Sequence, residues 1–140
     1  MKKVRVTLNA IKCHEVGDDA GSTLEIYGDL FARQVIVNDF GDFESLVEHR
    51  LFHKPSGEAI HLGEGTQFQI NESRDFEIHP NQFLWVGGHL AEQDDTSAND
   101  NMGFNDVKIP YDLITTDRKE VHFQESDQIA KAIYTITQLQ

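Results

Sequence analysis

Apolar and polar residues alternate along most of the chain. Val4, Val6, Leu8 and Ala10 are separated by Arg5, Thr7 and Asn9, which predicts a strand with one face buried. Leu24, Ile26, Gly28 and Leu30 alternate in the same way with Glu25, Tyr27, Asp29 and Phe31. The run 35–37 either continues that strand or follows a bulge. Residues 38–42 are a turn cluster, and 46–53 form a further strand closed by Lys54, Pro55, Ser56 and Gly57. A strand over 59–70 follows, ended by the polar cluster 71–75, with a short strand at 76–78. Strands over 83–91, 107–114, 120–123 and 132–137 complete the set. The ambiguous piece is 126–132, which has the composition of a helical turn before the last strand. Short strands at regular spacing with turn signals between them predict an all-β sandwich or barrel. There is no internal repeat, linker or low-complexity tract.

Composition narrows the function classes. A chain of 140 residues is long enough for one domain with a real core. Its net charge of −12 argues against nucleic acid, because phosphate contacts need a surplus of Lys and Arg on some face. It argues equally against a general attraction to anionic lipid. The one cysteine, Cys13, rules out an internal disulfide framework and is compatible with cytosol. The first residues carry two lysines but no apolar core of a signal peptide, and no run approaches a membrane span.

The candidate chemistry lies in two loops. One follows the apolar run 83–90 and precedes a second run, 104–114; it holds Glu92, Asp94, Asp95 and Asp100. The other follows the first strand and holds Glu15, Asp18 and Asp19, with Glu25 where the next strand begins and Gly17 and Gly21 allowing tight backbone. Like charges crowded on a loop repel. A hard divalent cation relieves the repulsion, since calcium takes about 6–8 oxygen ligands. Either loop alone is equally well read as solvated polar surface. Alternate loops of a sandwich fall at the same end, however, and two acidic loops meeting there make a much better cation cage.

The loop 92–103 reads acid-x-Asp-x-Thr-Ser-x-Asn-Asp-x-Met-Gly, which resembles the third calcium loop of the C2 domain, the calcium-and-phospholipid-binding β-sandwich. The segment from Val107 to Pro110 resembles the strand that follows it. The first loop is similar to its partner loop, with Asp18 or Asp19, Gly21, Ser22, Glu25 and Tyr27. One strand precedes the first loop and a spare strand closes the chain near Tyr134, as in the family's permuted topology. The resemblance implies a single C2-like domain over 1–140, an eight-stranded antiparallel Greek-key β-sandwich. It implies Ca2+ ligands at Asp18, Asp19, Glu25, Glu92, Asp94 and Asp100. Glu25 and Glu92 depart from the family's aspartates, which bears on ion number and affinity. It also implies calcium-dependent membrane docking, with anionic phospholipid or a protein as partner. The lipid-binding half is weaker, because the loop tip, Asp95 to Ala98, has neither apolar nor basic character.

Other constellations carry less. Strand 49–54 offers at most a modest basic patch. His49, His53 and His61 read as surface histidines rather than zinc ligands. Cys13 and His14 are neighbours on a strand and point to opposite faces, so Cys13 is expected to be a buried structural thiol. Trp85 reads as core. Phe31, Phe40 and Phe43 read as core or edge packing. Gly87 and Gly88 lack the strand-to-helix context of a phosphate loop. The expected function is a non-catalytic calcium-binding module that docks on a membrane or other surface. The alternative is a structural or protein-interaction domain of a larger protein, secreted or pore-forming, in which calcium only rigidifies the loops.

Overall fold

The structure, a computed structural model, describes residues 1–17, 23–93 and 99–140. Among the described residues nine strands follow one another: β1 (Lys2–Glu15), β2 (Thr23–Val37), β3 (Phe43–Lys54), β4 (Ile60–Gly63), β5 (Gln67–Ile78), β6 (Gln82–Glu92), β7 (Asp100–Pro110), β8 (Asp117–Glu125) and β9 (Gln128–Gln138). A 3-10 turn, Tyr111–Leu113, links β7 to β8. Two antiparallel sheets are ordered β5-β1-β9-β8 and β3-β2-β6-β7, with β4 pairing β2. This is the expected antiparallel β-sandwich, with one strand more among the described residues than the eight predicted. The extra one is β4, a four-residue strand that pairs the first residues of β2.

The inward faces follow the alternation. Val4, Val6 and Leu8 of β1, Leu24, Ile26 and Leu30 of β2, and Leu84, Val86 and Leu90 of β6 are fully buried. Part-way along β1 the register slips at Asn9 against β9 and at Asn71 against β5. The alternation therefore shifts by one, and Ile11 and Cys13 become the inward residues. Tyr134 of β9 is also wholly buried and joins the two layers, its hydroxyl donating to the Phe31 carbonyl 3.0 Å away.

Several boundaries differ from the pattern reading. The stretch 59–70 is not one strand: a turn at 64–66 separates β4 from β5, where Thr66 N donates to Gly63 O. The polar cluster 71–75 is no terminator but lies inside β5, with Asn71 at φ 56° forming the bulge. Strand β7 begins at Asp100 and stops at Pro110, so residues 111–113 are not strand. The segment 126–132 is not helical. Ser126, at φ 55°, turns the chain directly into β9.

Candidate functional site

The β1–β2, β4–β5 and β6–β7 connections and the β8–β9 turn gather at one end of the sandwich. Backbone and side-chain bonds tie them. Gln93 N donates to Glu25 O at 2.8 Å, and Gly57 N donates to the Gln93 side-chain oxygen at 2.7 Å. Asn99 Nδ2 reaches the Tyr27 hydroxyl at 3.2 Å and Ser56 Oγ at 3.3 Å. On the other side Val16 N donates to Glu64 Oε1 at 3.4 Å, and a side chain at Gly17 would run into Asp127. Both ends of the second acidic segment therefore lie beside the end of the first.

Among the residues named as candidate ligands, Asp18, Asp19 and Asp94 lie outside the described residues, as does Asp95. The other three are placed by register. Glu92 pairs with Ile26 on one side and Asp100 on the other. Paired residues share a face, so Glu92 and Asp100 sit side by side on the inward face, at the mouth between the sheets. Glu92 is only 3% exposed. Glu25 precedes the inward Ile26 and stands on the outer face, 3.4 Å from His61 Nδ1. Among the described residues no three His, Cys, Asp or Glu side chains gather as a metal cage. The described part of the expected donor set is carboxylate oxygen, the ligand type a hard cation takes.

The histidines of strand 49–54 and His61 do not converge. His49 packs edge-on against Phe76, His53 Nδ1 lies 2.6 Å from Asp29, and His61 faces Glu25. Arg50 also turns to Asp29, at 3.5 Å, so the modest basic patch is largely occupied by an internal carboxylate. Cys13 is buried as expected. Burial, with Glu64 nearby, pushes its thiol up to about 11, which keeps it protonated at neutral pH. Phe43 is edge packing against Phe83 and Trp85, but Phe40 stands 90% exposed at the β2–β3 turn, away from the core.

Trp85 corrects the pattern reading. Leu84 and Val86 take the core side of β6, so Trp85 lies on the outer face beneath Lys108, whose ammonium is 4.7 Å from its ring centroid. That outer face of β3-β2-β6-β7 holds a second cluster. Cross-strand rows place His53, Asp29, His89 and Phe104 in one line, and Arg50, Phe31, Gly87 and Asp106 in the next. Phe31, Arg33 and Trp85 alternate with core residues as Glu25 and Tyr27 do, but nothing in the chain marks them as meeting Phe104 and Asp106. The pair Gly87–Gly88 was the only available signal.

The strand order, with the last strand beside the first and the acidic connections at one end, defines an antiparallel β-sandwich. No family model matches the chain, and no curated protein matches it. Solved structures with a similar course of chain include a C2 domain of plant extended synaptotagmin 1, at 9% identity over 98% of this chain and 93% of that one, TM-score 0.48. The two C2 domains of extended synaptotagmin 2, with calcium bound, share 11% identity over 98% of this chain and 45% of that one, TM-score 0.47. Human GIVD cytosolic phospholipase A2 shares 11% over 98% of this chain and 16% of that one, TM-score 0.48. At this level of similarity the likenesses bear on no activity, and the functional reading rests on the chain's own residues. Among the described residues no helix is long and apolar enough to cross a membrane.

Proposed function

We propose that the chain is one C2-like, non-catalytic module that binds calcium between its β1–β2 and β6–β7 connections. Asp18, Asp19, Glu92, Asp94 and Asp100 are the proposed oxygen donors, while Glu25, expected as a sixth, stands on the outer face beside His61. The observation that carries the reading is the register pairing of Glu92 with Asp100 at the mouth between the sheets, next to the start of β2. Two carboxylates held side by side, one of them buried, are stabilised by a cation that takes oxygen ligands. Ligand binding to the native state alone adds RT ln(1 + [L]/Kd), about 2.7 kcal/mol at roughly 100-fold excess over Kd. Titration calorimetry and thermal melting at millimolar calcium test this. A heat of binding and a melting point raised by several degrees are expected; no heat and no shift would remove the reading.

Calcium-dependent docking on a membrane or other surface is the proposed use of the site. Empty acidic connections repel an anionic target, and bound calcium neutralises them and offers an open coordination position to a phosphate or carboxylate oxygen. The second reading, a calcium-stiffened interaction domain, is favoured by one observation: Arg50 and His53 are both drawn to Asp29. That takes up part of the positive charge of strand 49–54, and such charge is worth about 1 kcal/mol per Lys or Arg near a membrane. Vesicle sedimentation separates the two. Docking predicts calcium-dependent binding to anionic vesicles that chelator abolishes more effectively than salt. The second reading predicts calcium binding with no vesicle binding.

A further inference from the structure

The outer face of β3-β2-β6-β7 carries a cavity of about 400 Å3, lined by Asp29, Phe31, Arg33, Gly88, His89, Phe104 and Asp106. It exists because β6 has two consecutive glycines. A side chain at Gly88 would strike the Asp29 carbonyl, and one at Gly87 would strike the Asn105 carbonyl. The strands close in around bare backbone, and the floor stays open. One wall is Phe104, stacked on the His89 ring at 4.4 Å and 27°, and still 80% exposed. His89 is held in turn by Asn101 Oδ1 at 2.8 Å.

The charges of the cavity are uneven. Arg33 is the firm cation among the described lining residues, and it is already engaged: its Nε is 2.6 Å from Glu48 and its guanidinium lies 4.5 Å over the Phe31 ring. Asp29 and Asp106 face the cavity from neighbouring rows. Asp106 is the underused group. Its Oδ1 is buried and accepts no hydrogen bond among the described residues, and Arg33 Nη1 stands off at 3.9 Å. Burial pushes the Asp106 carboxyl up, against the pull of Arg33 and Lys108. A carboxylate with one buried oxygen lacking a donor is costly, and a cation that reaches its exposed oxygen from the cavity offsets part of that cost.

We propose that this cavity receives an arginine side chain from a protein partner. The planar guanidinium stacks on the exposed Phe104 face while its N–H groups donate to the exposed oxygen of the partly exposed Asp106 carboxylate and to the Asp29 side of the cavity. The surface already treats its own cations this way, with Arg33 over Phe31 and Lys108 over Trp85. The chain's charge of −12 steers a basic partner toward it. None of these residues belongs to the proposed calcium donors, so the inference goes beyond the calcium reading.

The test is a nuclear magnetic resonance titration of the full chain in chelator, with acetyl-Gly-Arg-Gly-amide as probe. Working without calcium makes its outcome independent of the calcium reading. Saturable shifts at the Gly88 amide and the His89 ring are expected. Asp106→Asn and Phe104→Ala should each weaken binding about ten-fold or more, the loss expected of a charge-assisted bond or a stacking face. Phe104 is so exposed that its removal leaves folding intact. Acetyl-Gly-Norleucine-Gly-amide, inorganic phosphate and phosphatidylcholine vesicles serve as comparisons. No saturable shift with the arginine probe, equal binding in both variants, or the same resonances moving with any comparison ligand would overturn the proposal.

Discussion

Replacing Tyr134 by Phe tests how the two layers are joined. The ring is wholly buried and Phe keeps its volume, so the change opens no sizeable cavity. The main loss is the hydrogen bond from the hydroxyl to the Phe31 carbonyl at 3.0 Å, and the Gly87 backbone, which also bonds that hydroxyl, loses its partner. Such a bond contributes about 0.5–1.5 kcal/mol net, or about 3 °C in melting temperature for a domain of this size. The alkaline range supplies a sharper signature. Burial, its chief cause, pushes the Tyr134 ionisation far above the ordinary value, which is about 10 in an unfolded chain. Above that pH the unfolded state releases a proton that the folded state keeps, so stability present at lower pH is lost as pH rises. At about pH 11 the loss from this residue is about 1.4 kcal/mol. Tyr134→Phe has no such proton, while the other two tyrosines and Cys13 are common to both proteins and cancel. Urea unfolding followed by the single tryptophan should therefore show the unmodified protein ahead by about 1 kcal/mol at neutral pH. That lead should close or reverse near pH 11. Equal stability at neutral pH, or a gap that does not change with pH, would refute this account of the layer contact.

Gly88→Ala should cost about 2–4 kcal/mol, from backbone collision and a left-handed φ together; its φ is 156° and the Asp29 carbonyl blocks the new methyl. Near-native urea stability would show that β2 and β6 are further apart than described. Asp94→Asn and Asp100→Asn should each weaken calcium at least about ten-fold by calorimetry, whereas Asp75→Asn, a β5 residue whose carboxylate faces Arg5 of β1, should not. Equal losses in all three would mean the acids act through net charge alone. Cys13 should resist thiol reagents in the native protein at neutral pH, because it is buried and its thiol is pushed up to about 11; labelling as fast as in urea would contradict its placement.

Alternation located the central strands because their two faces differ. β1 and β2 each have a core side and a more polar side, and Val4, Val6 and Leu8 of β1 with Leu24, Ile26 and Leu30 of β2 are inward residues that the sequence pattern selects. It failed on β5 for the opposite reason. The first part of β5 is at a sheet edge and is largely exposed on both faces, so Asn71 to Asp75 has no apolar period to read. Its asparagine looks like a turn residue and does adopt a positive φ, but as a bulge within the ladder. Trp85 was misplaced because 83–86 is apolar at every position. Its partners across the sheet, Arg33 and Lys108, reveal that it faces outward.

The two clusters differ in how far a sequence can carry them. The acidic connections were legible because each is contiguous and each lies between strands whose ends the sandwich must bring together. The pairing of Glu92 with Asp100 follows from β6 and β7 being a hairpin. The outer cavity draws Phe31, His89 and Asp106 from three strands, and what unites them is register. Between His89 and Ala91 the β6–β7 pairing skips a residue. Without that skip every side chain of β7 beyond it would face the other side of the sheet. Phe104 and Asp106 would then point into the core, where a carboxylate lacking a partner is costly. The irregularity that lets Met102 fill the core at the loop end is thus the same one that leaves Phe104 and Asp106 outside.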